Sequence, residues 1–230
     1  MHPTALQNCQ RFVAAYADGF APDARTQVLE IGSQDVNGSL RMVCHPQWAY
    51  LGLDFVPGKG VDRVLDDPYV LPFPDASADI VISSSCFEHS AMFWLVYLEI
   101  MRVLKPAGLF YLNVPSNGDF HRYPVDCWRF YPDSGEALVT WGQRNGHDSV
   151  LLESYVSHQH QDMWNDFVGV FLKDRRHLAQ HPRRILDQFA DFRNGRRHGH
   201  EGFLKPQDRP EDRVKLQLIE QVLRNQIRLA

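Results

Sequence analysis

The stretch Val28-Leu-Glu-Ile-Gly-Ser-Gln-Asp-Val-Asn-Gly-Ser-Leu40 contains the features that decide how this chain folds. Its opening residues are almost continuously apolar, as in strands that are covered on both faces of a parallel sheet. A turn with Gly32 and Gly38 follows, and after this turn we expect a helix. A buried strand, a glycine-containing turn and a helix are typical of the unit that binds nucleotide cofactors in open α/β sheets.

Strand-like and helix-like runs alternate on both sides of this stretch, which is the pattern of an α/β domain with a largely parallel sheet. The pattern predicts strands at 26–32, 48–54, 78–84, 108–114, 149–157 and 163–172. It predicts helices at 4–18 and 90–104, a helix that begins near residue 132, and a last helix at 211–228. This last helix carries Val214, Leu218 and Val222 on one face, so we expect it to dock or to form a homo-oligomer.

The composition is that of a globular protein with an ordinary hydrophobic core. The chain has 230 residues, of which 44% are hydrophobic and 12% aromatic, and this content excludes disordered and collagen-like chains. Four widely spaced cysteines do not form a disulfide framework. No apolar run approaches the about 20 residues of a membrane helix, and no signal peptide is recognised at the N-terminus. We therefore expect a cytoplasmic location and no membrane span.

The charges are distributed unevenly along the chain. Residues 1–172 contain 10 basic and 20 acidic residues, whereas residues 173–213 contain 11 and 7. The acidic majority argues against nucleic acid as a partner, while the basic stretch is either a solvated polar face or a surface for an anionic partner. We predict a cofactor-binding domain at 1–172 and a basic, helical C-terminal extension at 173–230.

The turn after the first strand differs from that of a dinucleotide-binding fold. It lacks the G-x-G-x-x-G pattern that holds a pyrophosphate, and Asp35 lies between its two glycines. A carboxylate there repels a pyrophosphate but suits a ligand with a cationic centre, which argues against a nicotinamide oxidoreductase. At the end of the second strand, Asp54 is placed to accept hydrogen bonds from the two ribose hydroxyls of a cofactor.

A second acidic element, Asp66-Asp67, precedes an apolar turn. A carboxylate at this place would accept a hydrogen bond from the amino group of an adenine. We expect Leu71 and Phe73 to form the walls around the adenine ring.

The motifs VLEIGSQDVNG, GLD, LPFPDASADIVISSSCFEH and RVLKPAGLFYLNVPS follow one another over about residues 26–116. In this order they resemble the motifs of class I S-adenosylmethionine-dependent methyltransferases of type 11. The resemblance implies a Rossmann-like, mostly parallel sheet of seven strands with helices on both faces, and S-adenosylmethionine bound across the carboxyl ends of the strands. By position, it implies that the cofactor is bound by Glu30, Gly32, Ser33, Asp54, Asp66 or Asp67, Ser85 and Cys86.

The sequence departs from the family pattern at two places. Gln34-Asp35 stands where a second glycine is usual, so we expect Asn37-Gly38 to make the turn. Pro68 has no N–H that could donate to adenine, and this leaves Asp66 and Asp67 as alternative ligands of the adenine.

The acceptor site is expected in Glu88-His89 and in the long loop His121-Arg122-Tyr123-Pro124-Val125-Asp126-Cys127-Trp128-Arg129-Phe130-Tyr131-Pro132. Histidine suits a general base because its pKa lies near neutrality, and we predict that His121 is the catalytic base, with His89 as the alternative. We predict that the acceptor is bound by Tyr123, Asp126, Trp128 and Arg129.

The loop also resembles a subgroup of these methyltransferases that is associated with polysaccharide and surface-glycan gene clusters. This resemblance implies O-methylation of a sugar or a glycan-related small molecule. The alternatives are a phosphate, phosphoramidate or carboxylate acceptor held by arginines, and a non-catalytic adenosyl-binding scaffold. No metal is predicted: His158, His160 and Asp162 share one face if this run is extended, and a polar strand face or a wall of the acceptor pocket is the favoured interpretation.

Overall fold

The computed structural model of the chain describes residues 3–160 and 163–227. The helices of this part are α1 (Pro3–Tyr16), α2 (Phe93–Val103), α3 (Ser134–Arg144) and α4 (Glu211–Leu223). Its strands are β1 (Gln27–Ile31), β2 (Ala49–Asp54), β3 (Arg63–Val64), β4 (Ala78–Ser84), β5 (Leu104–Pro115), β6 (Val150–Ser157), β7 (Asp166–Leu172) and β8 (Phe192–Arg197).

These strands form one mixed sheet in the order β3-β2-β1-β4-β5-β7-β6-β8. The strands β3, β2, β1, β4 and β5 are parallel, and β7 is antiparallel to both of its neighbours. The Rossmann-like α/β fold is therefore confirmed. The expected number of seven strands is wrong, because β8 pairs antiparallel with β6 and makes an eighth.

The two faces of the sheet are buried by different helices. On β1, Leu29 and Ile31 point to the face on which α2 packs, while Val28 points to the face that α1 covers. The apolar stripe of α2 includes the fully buried Tyr97 and Met101, as its helical spacing predicts. Because strands buried on both faces need apolar residues at successive positions, the apolar runs in the sequence located these strands correctly.

The helix expected after the glycine-containing turn is absent from this part of the structure. Leu40–Met42 forms only a short 3₁₀ turn before β2 begins at Ala49. Pro46 removes a backbone donor from this short segment, and the side chains of Leu40 and Trp48 instead pack into the cluster beneath α1. The first crossover of the sheet is consequently a loop, and α1 supplies the cover that the missing helix would have given.

The C-terminal segment is only partly helical and folds onto the sheet. Its β8 hydrogen-bonds to β6 at the sheet edge. Its arginines form ion pairs with acidic side chains, some of them far away in the sequence: Arg175–Asp148, Arg176–Asp174, Arg183–Asp18, Arg196–Asp133 and Arg197–Asp187. Many basic side chains of this segment are therefore paired with acidic groups of the same chain. The domain boundary at residue 172 stays a prediction.

Helix α4 is fixed at its first turn. The Glu211 carboxylate accepts a hydrogen bond from the Gln159 N–H at 3.0 Å, and the Asp212 carboxylate accepts one from the Asn117 amide at 2.6 Å. Val214 and Leu218 further along α4 are about half exposed. Homo-oligomerisation through this face stays a prediction. No helix within the described ranges combines the length and the apolar character that a membrane span requires.

Candidate active site

A cavity of about 1000 Å³ lies over the carboxyl ends of the parallel strands. In open α/β sheets this edge binds the ligand at the point where the strand order reverses, and here the reversal falls between β1 and β4. The predicted residues that line the cavity are Gly32, Asp54, Ser85, Cys86, His89, His121 and Tyr123. The predicted residues outside its lining are Glu30, Ser33, Asp66, Asp67, Asp126, Trp128 and Arg129.

The floor of the cavity is formed by Gly32 and Cys86, which follow β1 and β4. Gly32 has a φ of +79°, and a Cβ at this position would lie 2.6 Å from the Cβ and Sγ atoms of Cys86. Only glycine fits both the backbone conformation and the space. Burial raises the pKa of the Cys86 thiol, so this sulfur is neutral at physiological pH. Beside it, Ser85 has a buried Oγ that has no hydrogen-bond partner in the described residues.

Asp54 ends β2 and presents its carboxylate at the rim of the same floor. One oxygen accepts hydrogen bonds from the N–H groups of Phe55 and Val56 at 2.8 and 3.2 Å, and the other accepts one from the Gln34 N–H at 3.3 Å. These backbone donors fix the orientation of the carboxylate. The remaining lone pairs are free to accept hydrogen bonds from the hydroxyls of a ligand.

Glu30 does not line the cavity, and its partner Tyr50 packs with the apolar cluster beneath α1. Its side chain is buried and accepts a hydrogen bond from the Tyr50 hydroxyl at 2.6 Å. Burial raises the pKa of this carboxyl group to about 7. Ser33 is also buried, and the N–H groups of Gly32 and Ser33 both donate to the Leu53 carbonyl, which joins the first loop to β2.

Asp35 does not serve the ligand as its sequence position suggested. Its carboxylate accepts a hydrogen bond from the Gly38 N–H at 2.8 Å and pairs with Lys59 at 2.7 Å. Lys59 lowers the pKa of the Asp35 carboxyl group. This carboxylate holds the turn, which Gly38 makes with a φ of +122°, and its charge is compensated within the protein.

Asp66 and Asp67 are both exposed. The Asp67 carboxylate accepts a hydrogen bond from the Tyr69 N–H at 2.8 Å and so caps its own turn. The apolar wall at this end of the cavity consists of Leu65, Pro68 and Tyr69, whereas the expected Leu71 and Phe73 belong to the core behind it. The structure does not separate the two aspartates as adenine ligands.

The opposite end of the cavity is polar. Glu88 and His89 lie in a 3₁₀ turn, Phe87–His89, directly after β4. Burial raises the pKa of the Glu88 carboxyl group to about 8 and lowers that of the His89 imidazole. The Nδ1 of His89 lies 2.5 Å from the Val125 carbonyl oxygen. Since a carbonyl can only accept, Nδ1 carries the proton and Nε2 has a free lone pair.

His121 enters this polar end from the long loop after β5. Its ring packs edge-on against that of His89, with the ring centres 4.9 Å apart, and Trp164 packs against it at the same distance. The Nδ1 of His121 lies 3.1 Å from the Asp119 carbonyl oxygen and 3.5 Å from an Asp126 carboxylate oxygen, so both neighbours suit a proton on Nδ1, and Nε2 is the acceptor nitrogen of the neutral ring. The two histidines therefore present similar free nitrogens to one region of the cavity.

Asp126 and Arg129 hold the loop that carries His121. The two side chains form a bidentate ion pair with N–O distances of 2.6 and 2.8 Å, and Arg129 lowers the pKa of the buried Asp126 carboxyl group to about 2. The same carboxylate accepts a hydrogen bond from the His121 N–H at 2.7 Å. Both charged groups are thus engaged with each other and with the loop backbone.

The two predicted aromatic ligands of the acceptor have different positions. Tyr123 lines the cavity, and its hydroxyl donates to the Gln34 side chain at 2.9 Å, so the acceptor loop contacts the first loop. Trp128 lies outside, donates to the Ser90 carbonyl and packs edge-on against Phe93 of α2. Trp164 had no predicted role. The Trp164 ring packs against Gly118, where any side chain would clash with it. The sequence has no recognisable signature of this contact.

Comparisons with known proteins agree with this geometry. Residues 35–112 match the family model described as a methyltransferase domain. The phthiotriol/phenolphthiotriol dimycocerosates methyltransferase of Mycobacterium tuberculosis is 32% identical over 117 residues, which cover 44% of this chain and 42% of that protein. The match thus spans less than half the length of this curated relative.

Solved structures share the fold at low sequence identity. The 1,6-didemethyltoxoflavin-N1-methyltransferase of Burkholderia thailandensis, with bound 1,6-didemethyltoxoflavin and S-adenosylhomocysteine, has a TM-score of 0.56 and 15% identity over 74% of this chain and 78% of that chain. The YcgJ protein of Bacillus subtilis has a TM-score of 0.51 and 14% identity over 76% of this chain and 100% of that chain. The chain thus contains a match to a methyltransferase domain over residues 35–112 and shares its fold with these structures.

Proposed function

We propose that the protein transfers a methyl group from S-adenosylmethionine to a hydroxyl of a small acceptor, and that both molecules bind in the cavity over the carboxyl ends of the strands. The observation that carries this proposal is the division of the cavity into two ends. One end has the fixed carboxylate of Asp54 and an apolar wall, and the other has the cluster of Glu88, His89 and His121.

The residues at the first end fit an adenosyl cofactor. Asp54 offers a fixed acceptor for ribose hydroxyls, and the apolar wall suits an adenine ring. The buried Ser85 Oγ has no hydrogen-bond partner within the described residues, and Gly32 packs closely against the neighbouring Cys86. A ligand that bridges β1 and β4 would satisfy the Ser85 hydroxyl. Glu30 and Ser33 support this floor from behind, and Asp66 or Asp67 remains the proposed partner of the adenine amino group.

S-adenosylmethionine supplies a methyl group on a sulfonium, which is an activated leaving group. The main task of the protein is therefore to hold the acceptor oxygen in line with the methyl carbon. In the transfer, the acceptor oxygen forms the new bond to carbon while the carbon–sulfur bond breaks and its electron pair stays on sulfur. The hydroxyl proton must pass to a base, and the proposed base is the Nε2 of His121, with that of His89 as the alternative; the Nδ1 contacts of both rings support this.

The polar end supports a hydroxylated acceptor such as a sugar or a glycan-related molecule. A buried carboxyl group, two imidazoles and the exposed Tyr123 offer hydrogen-bond partners for several hydroxyls. Of the two arginines that could hold a phosphate or carboxylate acceptor, Arg129 already pairs with Asp126, whereas Arg122 lines the cavity, so an anionic acceptor is the second candidate. Trp128 and Arg129 then position the loop, and Tyr123 and the histidines contact the acceptor.

The cofactor proposal is tested by calorimetry with S-adenosylhomocysteine on the wild type, Asp54→Asn and Asp75→Asn. Loss of hydrogen bonds to a charged acceptor costs about 1.5–3 kcal/mol, so Asp54→Asn should weaken binding by about 10–100-fold. Asp75, whose side chain is exposed on the surface, provides the matched control. Undiminished binding to Asp54→Asn, or no binding to the wild type at high micromolar ligand, would refute the proposal.

The acceptor proposal is tested with a panel of sugars and nucleotide sugars and a methyl-transfer assay. His121→Ala should lose turnover and keep its affinity for S-adenosylhomocysteine, because His121 groups with Glu88 and His89 and makes no hydrogen bond to Asp54 in the described contacts. An unchanged rate rejects a role of His121 in the reaction. Binding of S-adenosylhomocysteine without transfer to any member of the panel would instead support the non-catalytic alternative.

A further inference from the structure

Glu88, His89 and His121 form a compact set of metal-ligating side chains at the polar end of the cavity. One ligand atom from each residue lies within 4.8 Å of the other two. Among the described residues, these three are the group of histidine, cysteine and carboxylate side chains that are close enough to share a metal ion. The chain contributes them from two elements, the 3₁₀ turn after β4 and the loop after β5. Sequence spacing alone could not show this, because His121 is remote from the other two residues.

Both histidines are oriented as metal ligands are. Each has its Nδ1 within hydrogen-bond distance of a backbone carbonyl oxygen, that of Val125 or that of Asp119, which assigns the proton to Nδ1 and leaves Nε2 as the nitrogen that can bind a ligand. Metal-ligating histidines characteristically donate their second ring nitrogen to a carbonyl or a carboxylate, which fixes the tautomer and the ring. The Nε2 of His89 lies 3.8 Å from the nearer Glu88 oxygen.

Glu88 supplies an independent observation. Its side chain is 1% exposed, and its Oε2 has no hydrogen-bond partner within the residues that the structure describes. A buried carboxylate without a partner is unfavourable unless a cation or a donor compensates it. Its own backbone N–H and the charge of Arg129 favour the ionised form, but neither serves Oε2, so this oxygen is available to a ligand that enters the cavity.

We propose that Glu88, His89 and His121 bind a divalent first-row transition-metal ion. Two imidazoles and one carboxylate are suited to zinc, manganese, iron or cobalt, whereas magnesium and calcium prefer oxygen ligands. At bonds of about 2.1 Å, ligand atoms lie about 3–3.5 Å apart, so ligand atoms that now lie within 4.8 Å of one another need to approach by up to about 1–2 Å. Three protein ligands leave open coordination positions toward the cavity.

The use of this ion rests on the proposed function. An acceptor hydroxyl that occupies an open position becomes more acidic and loses its proton to water. Its oxygen then attacks the methyl carbon, the carbon–sulfur bond breaks with its electron pair on sulfur, and the metal keeps its oxidation state. A ligated Nε2 cannot also accept a proton. His121 therefore cannot be both the base and a metal ligand. A requirement of turnover for metal supports the ligand role, and turnover without metal supports the base role.

Metal binding is tested on the full untagged chain after dialysis against EDTA and removal of the chelator. Cobalt chloride is titrated while the visible d–d absorption is followed, and zinc chloride is titrated in a calorimeter, both without cofactor. We expect one ion per chain. Glu88→Gln and His89→Asn should each weaken binding by more than the about 10–100-fold that loss of an outer-shell partner costs.

The control is the double variant His158→Asn/His160→Asn. Among the described residues, these two histidines also lie close to carboxylates: His158 is near Glu211, and His160 is near Asp191. Asp162, which the sequence groups with them, lies outside the described residues. Binding that survives in Glu88→Gln, or that disappears only in the control variant, would overturn the proposal, as would no binding of cobalt or zinc at millimolar concentration. Thermal melting of each variant without metal checks that it is folded.

Failure of the metal proposal and failure of the proposed function give different results. Binding of S-adenosylhomocysteine is measured in EDTA, where the metal proposal predicts no effect on the cofactor end of the cavity. A chain that binds cobalt but not S-adenosylhomocysteine contradicts the proposed function alone. Methyl transfer that persists undiminished in EDTA contradicts a role of the ion in the reaction and favours His121 as base.

Discussion

Replacement of Glu30 by glutamine should stabilise the protein increasingly as the pH rises from 5 to 8. Glu30 is 2% exposed, and burial raises the pKa of its carboxyl group in the folded protein to about 7 from an ordinary value of 4.5. At low pH the group is protonated in both the folded and the unfolded chain and does not affect stability. Between these two pKa values the unfolded chain ionises first, so wild-type stability falls as the pH rises.

The magnitude follows from the two pKa values. One pH unit of difference corresponds to about 1.4 kcal/mol, so ionisation of Glu30 lowers the free energy of unfolding by about 3 kcal/mol once the pH is above 7. Part of this loss is already present at pH 5. The expected change between pH 5 and pH 8 is therefore about 2–3 kcal/mol. Glutamine keeps the side-chain volume and an oxygen that can accept from the Tyr50 hydroxyl, but it does not ionise.

The assay is urea unfolding of the wild type and Glu30→Gln at pH 5, 6, 7 and 8, followed by tryptophan fluorescence. The difference between the two free energies of unfolding should change by about 2–3 kcal/mol in favour of the variant over this range. The glutamine amide adds N–H groups without partners in this buried site, which shifts the stability of the variant by the same amount at every pH. This constant difference does not affect the expected trend with pH. Glu201→Gln, at an exposed position, should show no such trend. Parallel curves for the wild type and Glu30→Gln would refute a strongly perturbed Glu30.

Three further predictions concern the loops and the C-terminal segment. Gly32→Ala should lower the free energy of unfolding by about 1–3 kcal/mol and weaken binding of S-adenosylhomocysteine, because its Cβ would collide with Cys86 at a positive φ; unchanged urea curves and calorimetry would contradict this. Asp126→Asn should speed hydrogen exchange of the His121 amide, which donates to that carboxylate, and exchange at the wild-type rate would show that other contacts hold the loop. A chain that ends at Leu172 lacks β8 and leaves β6 as an open edge, so it should aggregate in size-exclusion chromatography; a monodisperse, folded product would support the predicted domain boundary.

The parts of the fold that the sequence predicted are those that bury apolar side chains. The runs around β1 and β4 are apolar at successive positions because the sheet is covered on both faces, and such runs are visible without tertiary information. Pro106 also predicted the end of α2, because proline cannot continue a helix. The position of Asp54 at a strand end followed directly from these assignments.

The parts that the sequence did not predict depend on pairing or on partners elsewhere in the chain. Strand β8 consists of Phe192-Arg-Asn-Gly-Arg-Arg197, which has one large apolar residue and no alternation, and it is held by backbone hydrogen bonds to an edge. Asp35 looked like a ligand of a cationic cofactor, but its partner Lys59 lies 24 positions later in the sequence. The closeness of Glu88 and His121 likewise exists only after the loop has folded.

The loop between β5 and α3 is held at both ends of the cavity, and this determines how the cofactor and the acceptor sites are related. The N–H groups of Cys127 and Trp128 donate to the Glu88 carbonyl, while the Tyr123 hydroxyl donates to the Gln34 side chain. A loop fixed by such contacts presents a preformed wall to the acceptor. It also places His121 by the same backbone that holds Glu88 and His89, so a change in the cofactor loop at Gln34 reaches the acceptor end through one side-chain hydrogen bond. Orientation of the acceptor contributes much of the rate of a methyl transfer, so under the proposed function these backbone contacts matter for turnover as much as the histidines do.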